Sequence, residues 1–134
     1  MGQPAWSNYV PMTNIPMNQT LADALTQLVG HALSSVEFVA DYVQLHFDGP
    51  TLTAYTPPTV NSGAESKVWG ESGYRDALCS QIGCRVERIA VDQGQQVSIV
   101  FESRATVLIS LRDDDYCGPE ALQFSLDKDR IWVV

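Results

Sequence analysis

No lysine or arginine occurs in residues 1–66, and the first cation of the chain is Lys67. The acids of that half, Asp23, Glu37, Asp41, Asp48 and Glu65, leave it at a formal charge of −5. Eight cations and eleven acids in residues 67–134 bring the whole chain to −8. A nucleic-acid footprint needs a basic face, and so few cations do not build one. Long uncharged apolar runs are also lacking: none approaches the roughly 18 residues that a membrane span requires. The expectation is therefore no nucleic acid and no membrane.

The start of the chain has neither the cationic opening nor the apolar run of a signal peptide. Trp6 stands where the myristoylation pattern wants Ser or Thr. The Asn18-Gln19-Thr20 glycosylation match carries no weight without export. Cysteine is sparse. Cys79, Cys84 and Cys117 make an odd count, which argues for reduced thiols in a cytoplasmic, bacterial-type setting. The Cys79–Cys84 spacing fits neither a CxxC redox pair nor a zinc knuckle, so all three read as small, partly buried apolar residues. The Gly-x-Ser-x-Gly elbow, His-Glu-x-x-His, P-loop and Gly-x-Gly-x-x-Gly are all missing. No catalytic residue, metal ligand or cofactor site is assigned.

What is present is a chain of 134 residues, 45% apolar and 18% charged, which suits one globular domain. An internal repeat stands out. Leu25-Thr-Gln-Leu28-Val29-Gly30 aligns with Leu78-Cys-Ser-Gln81-Ile82-Gly83, and Val36 with Ile89. After one added residue, Val43-Gln-Leu45-His-Phe47-Asp48 aligns with Val97-Ser-Ile99-Val-Phe101-Glu102. The first unit, 20–56, opens with a helix over 20–29 that Thr20 caps and Gly30 stops, with Leu21, Ala24, Leu25 and Leu28 inward. The second, 72–111, repeats this over 72–82, with Ser72 as cap, Tyr74, Ala77, Leu78 and Ile82 inward, and Gly83 as stop. Period-two alternation then predicts three strands in each unit. Asp48-Gly49-Pro50 and Asp92-Gln93-Gly94 supply turns.

The expected fold is α+β. Two tandem helix-plus-three-strand meander units, related by pseudo-two-fold symmetry, form one antiparallel sheet or a partly open barrel with two helices packed on it. Residues 1–19 form an irregular arm carrying Trp6, Tyr9 and Met12, and residues 57–71 are a linker loop containing Trp69. Residues 112–134 supply an acidic turn and a last hairpin that buries Trp132.

The densest segment of functional appearance is Asp113-Asp114-Asp115-Tyr116-Cys117-Gly118-Pro119-Glu120. Its carboxylates lack the spacing of a calcium loop and read as a solvated turn or as a contact surface for a basic partner. His46 and Asp48 fall two positions apart on a strand and thus on one face, beside Tyr42 and Gln44. Tyr42, Tyr55, Tyr74, Tyr116, Trp69 and Trp132 supply aromatic anchors of the kind interfaces favour. The first functional expectation is a non-enzymatic, acidic, protein-binding domain of immunity or inhibitor type, neutralising a basic partner such as a toxin nuclease. Its contacts are Asp113, Asp114, Asp115, Tyr116 and Glu120, with Tyr42 and Asp48. The second is a small enzyme or ligand-binding domain with a site between the units at His46, Asp48 and Cys117. The third is a homodimeric structural or adaptor domain.

Overall fold

The computed structural model describes residues 19–134. Thr20 caps helix α1 (Leu21–Leu25) through a reciprocal box: the Asp23 amide donates to Thr20 Oγ1 and the Thr20 amide to the Asp23 carboxylate. The helix is five residues long and tightens into a 3₁₀ turn, Thr26–Leu28. Helix α2 (Tyr74–Cys79) is six residues long and begins at Gly73, whose φ of +86° only glycine adopts freely; Ser72 is not the cap. Segments this short are far below the roughly 12–15 residues an isolated helix needs. They persist because Ala24, Leu25, Leu28, Tyr74 and Leu78 are buried. Ile82, expected on the inner face of α2, lies beyond the helix and is exposed.

Among the described residues, ten strands carry the fold. Strands β1 (Ser35–Val39), β2 (Tyr42–His46), β3 (Thr51–Ala54), β9 (Leu122–Asp127) and β10 (Arg130–Val133) form one antiparallel sheet in the order β1-β2-β3-β9-β10. Strands β4 (Thr59–Ser62), β5 (Glu65–Lys67), β6 (Val86–Asp92), β7 (Gln96–Phe101) and β8 (Thr106–Ser110) form the other, ordered β5-β4-β8-β7-β6. Every strand pairing within them is antiparallel.

This corrects the expected architecture. The molecule is mostly β, with two five-stranded sheets rather than one shared sheet or an open barrel, and it is not assembled from self-contained helix-plus-three-strand units. Each sheet takes three consecutive strands from one half of the chain and a hairpin from the other: β9–β10 extends β3, and β4–β5 extends β8. The expected linker contains that second hairpin. Its strands escape the alternation rule because they are short and polar, with Val60 the one fully inward apolar residue. Nor do the helices share one side. Helix α1 touches β6 and β9, and α2 touches β1 and β4, so each bridges the two sheets. The irregular arm with Trp6, Tyr9 and Met12 lies outside the described residues.

Alternate residues of both sheets merge in one apolar cluster. Val43, Leu45, Leu52, Leu122 and Phe124 come from the first sheet, and Val97, Ile99, Phe101, Val107 and Ile109 from the second, all fully buried. The chain segments that leave the two helical turns lace together at one end. Gly30 donates to Val86 O (2.8 Å), Val86 to His31 O (2.9 Å), Leu33 to Cys84 O (3.0 Å) and Gly83 to Leu33 O (2.8 Å). Gly30 (φ +88°) and Gly83 (φ +92°) make the left-handed turns that start this lacing. Trp132 is half-buried, stacked on Phe124 at 6.2 Å, and its indole donates to Gln19 O. Among the described residues no helix is long and apolar enough to cross a membrane.

Candidate functional site

Two loops and one strand end build a cleft at one end of the first sheet. Strands β1 and β2 are joined by the tight turn at Ala40 and Asp41, which places Asp41 in water and Tyr42 at the first position of β2. Val43 and Leu45 point inward, so alternation turns Tyr42, Gln44 and His46 outward. Tyr55 follows β3. The amides of Tyr55 and Thr56 both donate to Ala121 O (2.8 and 3.1 Å), and Thr56 Oγ1 donates to Ser110 O (2.8 Å). These bonds tie the exit of β3 to both ends of the 112–121 loop.

The resulting cleft holds about 270 Å³ and is lined by Asp41, Tyr55, Cys117, Gly118, Pro119 and Glu120. It thus draws on both halves of the chain. Tyr42 meets Tyr55 edge-to-face, with ring centroids 5.4 Å apart and planes at 62°. Burial raises the Tyr55 phenol above its ordinary range, and the negative charges of Glu120 and then Tyr42 push it further the same way. Glu120 is half-buried and lines the cleft together with Tyr55.

Beside the cleft, Asp113–Asp115 form a 3₁₀ turn closed by the Asp115 amide donating to Arg112 O. All three aspartates are exposed. Ser110 Oγ donates to the Asp115 carboxylate and accepts from the Arg112 amide, so Asp115 is committed to holding the turn. The Tyr116 ring packs against the rim of the core.

The other expected residues lie elsewhere. His46 sits at the far end of β2, four positions from Tyr42, which is roughly 13 Å of extended chain. Its ring is bonded to Thr51 Oγ1 and Glu37 Oε1, each at 3.2 Å. Strand β2 ends there, and Asp48 turns away into a left-handed bend with φ of +57°. His46 and Asp48 thus do not continue along one strand face as expected, and neither lines the cleft that holds Cys117. Cys79 and Cys84 are half-buried, while Cys117 is exposed, against the expectation for that thiol. Among the described residues no group of His, Cys, Asp and Glu is arranged to hold a metal ion.

The sequence patterns single out Tyr42, Tyr55 and Tyr116 as aromatic anchors and Cys117 and Glu120 as site candidates, but they do not bring Asp41 and Tyr55 to the 117–120 turn. The signal for Asp41 was present: a two-residue break between alternating strands is a hairpin turn and puts its acid next to Tyr42. Tyr55 is brought in by the β3–β9 pairing, which no local pattern specifies.

A second cleft, of about 380 Å³, lies at the entry to α2 between Trp69, Glu71, Tyr74, Arg75 and Asp76. Trp69 meets Tyr74 edge-to-face there, at 5.8 Å. Comparison with known protein families, with curated proteins and with solved structures yields no match to this chain.

Proposed function

We propose that the protein is a non-enzymatic, acidic binding domain that captures a basic protein, of immunity or inhibitor type against a partner such as a toxin nuclease. The observation that carries the reading is a set of uncompensated carboxylates at one end. Asp41 and Glu120 line the tyrosine cleft, Asp113, Asp114 and Asp115 form the exposed turn that leads into its 117–120 wall, and the one Lys or Arg ion pair among the described residues, Arg130–Asp127, forms in a different turn. Carboxylates left without cations in a free protein are available to a partner's cations. Such a surface speeds association and penalises acidic competitors more than it adds affinity. A nuclease holds phosphates with Lys and Arg, so a surface that occupies those cations blocks its substrate. Tyr42, Tyr55 and Tyr116 supply rigid aromatic area beside the charges, as protein interfaces favour.

The test is affinity capture from the host lysate, washed at low and at high salt, followed by association kinetics with the protein recovered. Replacing Asp113, Asp114 and Asp115 by Asn is expected to lower the association rate about tenfold at low salt and to flatten its salt dependence, with a smaller effect on dissociation. An association rate that the triple variant leaves unchanged rejects the electrostatic capture.

A further inference from the structure

We infer that the cleft between Tyr55 and the 117–120 turn is a receptor for one arginine side chain of the basic partner. The inference rests on the protein-binding reading and narrows it to one residue type at one place.

Size is the first argument. Clefts that take cofactors or drug-sized ligands hold roughly 300–1,000 Å³, and this one, at about 270 Å³, falls below that range. It suits a single side chain.

Chemistry is the second. The lining offers a tyrosine, a Gly-Pro turn and the carboxylates of Asp41 and Glu120, neither of which is in an ion pair. An edge-to-face pair leaves the faces of one ring free of its partner, so the Tyr42–Tyr55 arrangement keeps π surface available. A guanidinium is planar. It stacks on a tyrosine face while its N–H groups reach sideways to a carboxylate in a two-pronged bond. A lysine ammonium is a strongly hydrated point charge and gains less from a flat, half-buried wall. Tyr55 and Glu120 line the same cleft, so ring and carboxylate face one bound group. The backbone bonds from Tyr55 and Thr56 to Ala121 hold the two sides of the cleft at a set spacing before any partner arrives.

The test uses the full chain and three blocked tripeptides, acetyl-Gly-X-Gly-amide with X as arginine, lysine or citrulline, followed by amide chemical shifts. The arginine peptide is expected to give saturable shifts at Asp41, Tyr55, Cys117 and Glu120 within about 20 mM, as befits the millimolar affinity of one side chain. The lysine peptide should be weaker, and citrulline, which keeps the shape without the charge, should not saturate. Glu120→Gln should weaken the arginine peptide roughly tenfold, the effect of losing a charged hydrogen-bond partner. Tyr55→Leu should remove the preference for arginine over lysine, with thermal unfolding used to verify that each variant is folded. Equal binding of arginine and citrulline, shifts confined to the 113–115 turn, or no saturation at all overturns the inference. A saturating arginine peptide combined with a normal association rate for the triple Asn variant would sink the electrostatic capture and leave the arginine receptor standing. The opposite pair of results would do the reverse.

Discussion

Tyr74 shows how much a single side chain does in this molecule. It is 3% exposed, and its hydroxyl donates to Pro58 O at 2.6 Å, which ties α2 to the chain entering β4. Burial raises its phenol far above the ordinary tyrosine value. The consequence has a definite sign. In the unfolded chain the phenol loses its proton near pH 10, whereas in the fold it keeps it. Above that pH the native state therefore holds more protons, and stability falls as pH rises. Tyr55, raised for the same first reason, adds to the fall. Urea unfolding at a series of pH values is expected to show stability flat up to about pH 9 and declining beyond about pH 10. Tyr74→Phe should make that decline shallower. At neutral pH the same variant should cost about 1–2 kcal/mol, because it orphans a buried carbonyl. A variant with an unaltered alkaline slope would show that Tyr74 is not the group responsible.

At the scale of elements, the two left-handed glycines that follow the helical turns decide how helix becomes sheet. Gly30 and Gly83 both sit at positive φ, and a Cβ on either would meet nothing within 4 Å. The constraint is thus conformational rather than steric. Gly30→Ala and Gly83→Ala are each expected to cost about 1 kcal/mol, with Asn better tolerated at either site. An Ala variant as stable as the parent in thermal unfolding would mean that the lacing of 29–34 onto 83–86 does not depend on those turns. The β9–β10 hairpin illustrates a different balance. Asp127 closes its turn by accepting from the Asp129 and Arg130 amides and the Arg130 guanidinium. The Arg130 hydrogen bond, ahead of the others, holds its carboxyl below the usual range. That contribution is present at neutral pH and is lost as pH falls through the depressed value. Being exposed, the pair matters to the turn far less than Phe124 and Leu122 do to the core. Phe124→Ala should cost about 3–5 kcal/mol by emptying a fully buried site in the centre of the first sheet.

On the scale of the whole molecule, the exchange of hairpins makes the two halves interdependent. Residues 20–56 supply β1, β2 and β3 but lack the β9 strand that covers the open edge of β3. They also lack the second sheet, against which Val43, Leu45 and Leu52 are buried in the common core. A fragment of residues 20–63 is expected to be unfolded by circular dichroism, and the full chain to unfold in one cooperative transition. A fragment with its own transition would contradict the interleaved arrangement. The same interleaving builds the proposed site. Asp41 and Tyr55 come from the first half and the 117–120 turn from the second, so the cleft exists only when both halves are folded together.

Local physics was readable without coordinates. Period-two alternation located the strands of 35–54 and 86–110, because every second residue had to leave water. Thr20 as a cap followed from what a helix start requires, and glycine at 30 and 83 from the left-handed turns there, although the helices themselves end earlier, at Leu25 and Cys79. The acidic balance and the cation-free stretch before Lys67 were arithmetic on the chain. Tertiary structure alone decided the rest. Whether 20–29 continues as helix depended on packing, and the α-helix ends at Leu25 and tightens into a 3₁₀ turn over Thr26–Leu28. The polar hairpin at 59–67 had no apolar stripe to reveal it, and its partner β8 is remote in sequence. That Ala54, paired with Val43 on one side, takes Leu122 on the other is a choice between long-range contacts that alternation treats alike. Alternation says which face of a strand is buried. It does not say which strand lies beside it, and that second fact sets Tyr55 against Ala121 and so in one cleft with Glu120.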